Sequence, residues 1–145
     1  MSAVAPSRDN DIEVIVLNGA PSAGKTTLAF ALQEVTEDSW PVFGIDTLIS
    51  AVGLPMLEMH DDAIIGARPR QHDVREGGIK FDANGDITVG TQFRRLQAAW
   101  HEGLSRMAES GTRLILDEVF LDGVHSQERL RRAFDDRRVM WVGVT

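Results

Sequence analysis

Short apolar runs that suit buried strands alternate along this chain with segments of helical periodicity. The apolar runs are rich in β-branched residues, as in strands that are buried on both faces of a sheet. They cover residues 12–18, 40–46, 113–117 and 139–144. Because strands alternate with helices, the pattern predicts an α/β fold with a parallel sheet in a three-layer arrangement.

Four segments predict helices. The first begins at about Lys25, and the others cover residues 47–52, with Asp46 as N-cap, 92–109 and 127–136. The third is the most clearly amphipathic, and Gly111 stands where a C-terminal cap belongs. We expect its apolar face to fill the core rather than to stack on a ligand. That face comprises Phe93, Leu96, Trp100, Leu104 and Met107.

The stretch from residue 53 to residue 78 shows no periodicity and contains two prolines. An irregular segment of this length in a compact domain usually binds a ligand or is mobile. Residues 78–81 and 87–89 then flank an Asn-Gly pair, which favours a tight hairpin turn. The acids of this turn do not make a calcium loop, because Ile87 replaces the required glycine and Phe93 the required glutamate.

Composition limits the possible partners. The 145 residues, 43% of them hydrophobic, suffice for one compact domain, which we expect at 12–145 after a mobile polar tail at 1–11. A net charge of −7 argues against a general nucleic-acid surface, and no apolar run is long enough to span a membrane. The tail lacks the apolar core of a secretory signal, and the absence of cysteine suits the cytosol. We therefore expect a cytoplasmic protein without nucleic-acid or membrane partners.

One motif carries most of the functional information. The segment from Gly19 to Thr26 fits G-x-x-x-x-G-K-[ST], the loop that binds nucleotide phosphates, and lies between a predicted strand and a predicted helix. Its backbone N–H groups and the helix N-terminus attract an anion, Lys25 adds a full charge, and the Thr26 hydroxyl can bind Mg²⁺. A turn without a ligand, the alternative, has no use for Lys-Thr at its end. We assign nucleotide binding to Gly19, Ala20, Pro21, Ser22, Ala23, Gly24, Lys25, Thr26 and Thr27.

Three carboxylates follow predicted strand ends, on the side of an α/β sheet where ligands bind. Asp117 is expected to hold Mg²⁺ together with Thr26, the alternative being an acid that caps a turn. Glu118 either polarises a water molecule, as in hydrolytic NTPases, or faces solvent or joins a salt bridge. We assign Asp46 and Lys25 to catalysis. Asp46 is expected to be the base that accepts the proton of an acceptor hydroxyl. Its helix-capping role is compatible with that chemistry.

The remaining polar residues give weaker signals. No group of histidines has the spacing of metal ligands, and we expect all four to be ordinary surface residues. The arginines near the C-terminus form a solvated face or include a phosphate clamp. The histidines are His60, His72, His101 and His125, and the arginines are Arg129, Arg131, Arg132, Arg137 and Arg138.

Several segments together resemble the chloramphenicol phosphotransferase family, from about Val14 to Val144. Besides the phosphate-binding loop, they are Phe43-Gly44-Ile45-Asp46, Gly77-Gly78-Ile79-Lys80-Phe81-Asp82, Asp117-Glu118-Val119-Phe120-Leu121 and Trp141-Val142-Gly143-Val144. The resemblance implies a P-loop kinase-like fold that transfers the γ-phosphate of ATP to a primary hydroxyl of chloramphenicol. It matches Asp46 to the catalytic acid of the family and makes residues 53–90 look like part of the acceptor pocket.

The chain departs from this family in three places. Asp117-Glu118 stands where two aspartates are common, and residues 54–75 form a longer stretch, so that the acceptor can differ. Similar proteins continue past the last strand into an arginine-bearing lid, a further strand and a helix. The resemblance therefore implies a C-terminally incomplete fold, whose uncovered last strand invites self-association into a homo-oligomer.

The predicted function is transfer of the γ-phosphate of ATP, with Mg²⁺, to a hydroxyl of a small molecule such as chloramphenicol. Two alternatives stay open. The chain can be a nucleotide-binding fragment without turnover, since an arginine of the lid type can change the rate by about 10³-fold. It can also be a hydrolytic ATPase, for which the segment Leu114-Ile115-Leu116-Asp117-Glu118 is the main support.

Overall fold

The computed structural model describes residues 11–53, 57–59, 78–81, 84, 87–120 and 123–145. These fall into two compact units. The first contains residues 11–44, 105–119 and 134–145, and the second contains the described residues of 45–104 and 120–133. Outside the described residues lie the first ten residues of the tail predicted at 1–11, His60, His72 and most of the predicted acceptor-binding segment.

Strands and helices alternate as the periodicity predicts. In chain order the elements are β1 (Val14–Gly19), α1 (Lys25–Val35), β2 (Val42–Gly44), α2 (Ile45–Val52), β3 (Leu57–Met59), β4 (Ile79–Phe81), β5 (Ile87–Val89), α3 (Thr91–Glu109), β6 (Leu114–Glu118), α4 (Gly123–Ala133) and β7 (Val139–Val144). Among these elements, no helix is long and apolar enough to cross a membrane.

The first unit is built on a parallel sheet of four strands in the order β2-β6-β1-β7. The central strand β1 pairs with β6 on one side and with β7 on the other, and β2 pairs with β6 as far as Gly44 opposite Asp117. Because all four strands are parallel, their carboxyl ends meet at one edge of the sheet. The predicted α/β class, with its kinase-like parallel sheet, is confirmed.

Helix α1 covers one face of this sheet through an apolar cluster. Since side chains alternate along a strand, Ile15 and Leu17 of β1 share that face with Ile115 of β6. Each such side chain contributes about 1.5–3 kcal/mol when it is fully removed from water. The cluster comprises Ile15, Leu17, Ala29, Trp40 and Ile115, with Ile12, Leu28, Leu32, Val42 and Val142 packed against it.

The second unit contains a three-stranded sheet in the order β3-β4-β5. Strands β4 and β5 are antiparallel, with Ile79 opposite Val89, so the predicted hairpin is confirmed. Strand β3 pairs in parallel with β4, and the prediction of an irregular segment from 53 to 78 is wrong at this point. Three residues are too few to show a period of two, which is why the sequence gives no signal for this strand.

Two helix boundaries differ from the prediction. Helix α2 begins at Ile45, directly after β2, so Asp46 lies in its first turn and is not the N-cap. The chain passes from strand to helix without a loop, which leaves Gly44 in the flanking position. Helix α4 begins at Gly123 rather than at residue 127 and ends at Ala133. Its first turn contains weak helix formers, so propensity alone places the start too late.

The buried face of α3 is rotated from the predicted one. Phe93 and Leu104 are buried as expected, whereas Leu96 is 37% exposed. The polar residues Gln97 and His101 are buried in its place, and the expectation that His101 lies at the surface is wrong. The helical period alone does not distinguish these two faces. Polar residues at this period favour the solvent side, so Gln97 and His101 give no signal that they are buried.

The predicted C-terminal cap of α3 is confirmed. Gly111 has φ 101°, in the left-handed region that glycine adopts without a steric penalty. The N–H of Gly111 donates to the carbonyl of Ala108, and the N–H of Thr112 donates to that of Met107. This pair of hydrogen bonds is the Schellman arrangement, which satisfies carbonyls left open at the helix end.

Candidate active site

The loop between β1 and α1 has the geometry of an anion-binding turn. The N–H of Ala23 donates to the carbonyl of Ala20 at 3.0 Å, and Gly24 takes φ 89° and ψ 19° in the flanking position before α1. No side chain caps this helix, and its first turn contains no acid. The N–H groups of the first turn are therefore open to an anion, which the helix dipole favours.

Lys25, the first residue of α1, is folded against this loop. Its Nζ donates to the carbonyl oxygens of Gly19 and Ala20, each at 2.8 Å, and the residue is only 4% exposed. The ammonium group is thus held at the carboxyl end of β1, beside the open amides. Loop and lysine together concentrate positive potential at this edge of the sheet, as phosphate binding requires.

The start of the loop is packed closely against the neighbouring strand β7. A Cβ atom built on Gly19 would lie 2.4 Å from the carbonyl oxygen of Val144. Real Cβ atoms do not come this close to backbone, so any side chain here would displace the loop or the strand. Glycine at this position thus serves the packing of β1 against β7.

The two predicted magnesium residues meet in the first unit. The Thr26 hydroxyl donates a hydrogen bond of 2.8 Å to Oδ2 of Asp117, 91 residues further along the chain. Both groups offer oxygen, the donor type that Mg²⁺ prefers. Within the described part of the chain no three His, Cys, Asp or Glu residues form a metal cluster. Two protein oxygens suit an ion that takes its other ligands from phosphate and water, as Mg²⁺ commonly does.

Asp46 belongs to the second unit, whereas Lys25, Thr26 and Asp117 belong to the first. It is exposed in the first turn of α2, two residues after Gly44. A carboxylate in the first turn is stabilised by the helix dipole. The structure thus brings together the loop, the lysine and the predicted magnesium pair of Thr26 and Asp117, and it places the predicted base on the helix that follows β2.

Glu118 is buried, with 2% of its surface exposed. The reading that it faces solvent is therefore wrong. Since side chains alternate along β6, Glu118 lies on the opposite face from its neighbour Asp117, which contacts Thr26 of α1. Its partner in the sheet register is Asn18, the residue before the loop.

Two of the C-terminal arginines lie at the amino end of the sheet. Arg137 forms ion pairs with Glu13 at 3.5 Å and with Asp136 at 3.2 Å, and Arg138 donates its backbone N–H to Glu13. Glu13 precedes β1, and a six-residue strand is about 20 Å long. These two arginines therefore do not clamp a phosphate held at the other end of β1.

The arginines of α4 differ among themselves. Arg129 donates to the hydroxyl of the buried Ser126 at 3.1 Å, whereas Arg131 and Arg132 are exposed, as expected for a solvated face.

Burial, together with the nearby charge of Arg129, lowers the pKa of His101 to about 4. The sequence signal that was missed is the position of His101, on one helical stripe with Phe93 and Leu104.

Sequence comparison gives one family and two relatives. The sequence profile of the family described as chloramphenicol phosphotransferase-like protein matches residues 12–145. A protein from each of two Mycobacterium tuberculosis strains, provisionally named O-phosphotransferase, is 28% identical over 141 residues. The match covers 91% of this chain and 56% of each relative, so the chain spans about half the length of the curated relatives it matches.

Proposed function

Because the chain belongs to the chloramphenicol phosphotransferase-like family, we propose that it transfers the γ-phosphate of ATP to a hydroxyl of a small molecule, with chloramphenicol or a similar compound as acceptor. The observation that carries the proposal is the hydrogen bond between Thr26 and Asp117 beside the buried ammonium of Lys25. The provisional name of the Mycobacterium tuberculosis relatives supports an oxygen atom as acceptor.

Residues of the first unit bind the phosphate donor, ATP, each through a different chemical group. Amides of the loop and of the first turn of α1 hold the phosphate oxygens, and Lys25 balances their charge. Thr26 and Asp117 hold Mg²⁺ through their oxygens. Bound Mg-ATP supplies the phosphoryl group, together with the metal charge that neutralises its oxygens.

Asp46 acts on the acceptor in this proposal. Its carboxylate accepts the proton of the acceptor hydroxyl as that oxygen bonds to phosphorus, and ADP leaves. Because Asp46 is exposed, the proton then passes to solvent. Helix α2 and the sheet β3-β4-β5 belong to the same unit, which supports residues 53–90 as the acceptor-binding part.

The experiment that tests this proposal is product analysis by mass spectrometry. The chain is incubated with Mg-ATP and chloramphenicol, beside Lys25→Ala, Asp46→Asn and the control Asp135→Asn, which removes an exposed carboxylate. We expect monophosphorylated drug from the unaltered chain and the control, and formation slower by about 10²- to 10⁴-fold in the other two variants. Asp46→Asn should bind ATP nearly as tightly as the unaltered chain does.

Other results favour the alternatives. ATP binding without any phosphorylated product, from chloramphenicol or from a panel of hydroxylated compounds, indicates a nucleotide-binding module. Phosphate release without acceptor, abolished in Glu118→Gln, indicates a hydrolytic ATPase. Loss of ATP binding in Asp46→Asn contradicts the role of Asp46 as the base, since an acceptor-side acid does not hold the donor.

A further inference from the structure

The end of β2 is packed against β6 more closely than a side chain allows. A Cβ atom built on Gly44 would lie 2.1 Å from the carbonyl oxygen of Asp117, 3.1 Å from its carbonyl carbon and 3.5 Å from its Cβ. The two residues are partners in the sheet register. Gly44 is not among the glycines with positive φ, so the position requires glycine for space rather than for backbone conformation.

A side chain at residue 44 would force the two strands apart. Cβ atoms essentially never approach another heavy atom within 3.0 Å, so the 2.1 Å contact must lengthen by about 0.9 Å or more. The atom that it meets belongs to backbone, which cannot rotate away as a flexible side chain can. Either β2 or β6 must therefore move.

The movement falls on β2. Strand β6 lies between β2 and β1 and pairs with β1 over five residues. Its residues Leu114, Ile115 and Leu116 have no exposed surface. Strand β2 has three residues and lies at the edge of the described sheet, with Val42 and Phe43 only half-buried. Because a packed core resists displacement more than an edge does, β2 yields and Asp117 stays.

What moves with β2 is the start of α2. The helix begins at Ile45, immediately after Gly44, so no loop absorbs the displacement. Asp46 is two residues from Gly44, within about 7 Å along the chain. A base must lie about 2.6–3.2 Å from the atom whose proton it takes, so a shift of about 1 Å slows proton transfer.

We propose that Gly44 is a positioning residue for Asp46: by letting the end of β2 touch the backbone of Asp117, it fixes where the acid-bearing helix leaves the sheet. This inference rests on the proposed function, because Asp46 is the base only in that reaction. The magnesium pair depends on β6 and α1, so it should be spared when residue 44 is changed. Gly44 should thus affect transfer and not donor binding.

The test compares Gly44→Ala with Gly143→Ala. Gly143 also lies near the carboxyl end of a strand in the same sheet, and a Cβ there meets nothing within 4 Å. We expect Gly44→Ala to lower kcat for the phosphorylated product by about 10²-fold, the cost of a misplacement of about 1 Å. Its Kd for Mg-ATP should stay within about threefold of that of the unaltered chain. Gly143→Ala should match the unaltered chain in both quantities.

A double variant separates positioning from general damage. If Gly44 acts through Asp46, adding Gly44→Ala to Asp46→Asn should not lower the residual kcat further. Additive losses in kcat, or a Kd for Mg-ATP that rises in proportion to the loss of kcat, would overturn the inference. A Gly44→Ala chain that does not fold would overturn it too, because the edge strand is argued to yield.

Hydrogen exchange supplies a readout that does not depend on activity. In Gly44→Ala, amides of residues 42–48 should exchange faster, together with those of β6 that bond to β2, such as Ile115, whose N–H donates to the carbonyl of Pro41. The N–H of Leu114 donates to Glu13 on the β1 side and should keep its protection. This pattern tests the displacement of β2 and the start of α2 even where the unaltered chain phosphorylates no compound tried, so failure of the proposed function is seen separately. Faster exchange of Leu114 shows that β6 moved instead and contradicts the inference.

Discussion

The hydroxyl of Thr26 and the carboxylate of Asp117 form a hydrogen bond of 2.8 Å between the first turn of α1 and β6. This bond joins the helix proposed to receive the phosphates to the strand that supplies the acid. One group is neutral and the other is charged, so only one of them can supply most of the attraction for a cation. We therefore expect changes of Thr26 and of Asp117 to affect the affinity for Mg-ATP to different extents.

Asp117→Asn should separate magnesium binding from nucleotide binding. The amide keeps an oxygen that can accept from Thr26 but removes the charge that attracts the ion. We expect the Kd for Mg-ATP to rise by about 10- to 100-fold, with little change for ATP in the presence of a chelator. Isothermal titration calorimetry with and without Mg²⁺ measures both. Equal weakening under both conditions would contradict a metal role.

Thr26→Ser is the matched control for that experiment. Serine keeps the hydroxyl and its hydrogen bond to Asp117, so affinity for Mg-ATP should stay close to that of the unaltered chain. Thr26→Ala removes the oxygen and should reproduce a part of the loss seen in Asp117→Asn. If serine and alanine behave alike, the hydroxyl does not take part in metal binding.

Lys25→Met should remove the charge while keeping an unbranched side chain. Loss of a preorganised positive group at a transferring phosphate commonly costs about 10²- to 10³-fold in rate, and we expect kcat to fall by this amount. Far-ultraviolet circular dichroism should stay unchanged. Arg95→Met, which removes an exposed cation on α3, is the control and should keep its rate. A similar loss in both would indicate a nonspecific effect of charge.

The local features of the fold could be predicted from the sequence. The turn between β1 and α1, the cap at Gly111 and the hairpin of β4 and β5 each depend on a few neighbouring residues with a definite backbone requirement. The alternation of strands and helices gave the α/β class for the same reason. The pairing of Thr26 with Asp117 followed from a motif, although the two residues are distant in sequence.

The features that could not be predicted depend on contacts between distant parts of the chain. Burial of His101 and Glu118 is decided by which face of an element meets its neighbours, and polar residues give no hydrophobic signal for it. The need for glycine at residue 44 arises from the approach of β6, which no local pattern encodes. The Phe43–Asp46 segment is one of those that resemble the family, and the close approach of β6 gives a physical reason for the glycine in it.

Two glycine variants should change stability in opposite directions. Gly111→Ala places a Cβ in the left-handed region, at φ 101°, and should lower the free energy of unfolding by about 1–2 kcal/mol. Gly103→Ala lies inside α3, where a Cβ meets nothing within 4 Å, and should raise it by about 0.5–1 kcal/mol. Urea denaturation at constant pH measures both. A change of the same sign in both variants would contradict this account.

The buried imidazole of His101 makes stability depend on pH. Burial and the charge of Arg129 lower its pKa from 6.5 to about 4, so the unfolded chain binds a proton more readily than the folded one. Stability therefore rises with pH between these values. His101 contributes about 3 kcal/mol to the change of the unfolding free energy with pH. This contribution is fully present above pH 6.5 and is lost as the pH falls towards 4.

His101→Gln should remove this part of the pH dependence. Glutamine stays neutral at every pH, so the loss of unfolding free energy between pH 6.5 and pH 4 should shrink by about 3 kcal/mol relative to the unaltered chain. His125→Gln, which alters an exposed histidine of α4, is the matched control for the loss of an imidazole. Urea titrations at half-unit steps of pH give the comparison. Parallel profiles for the unaltered chain and His101→Gln would show that His101 is protonated in the folded state as readily as in the unfolded chain.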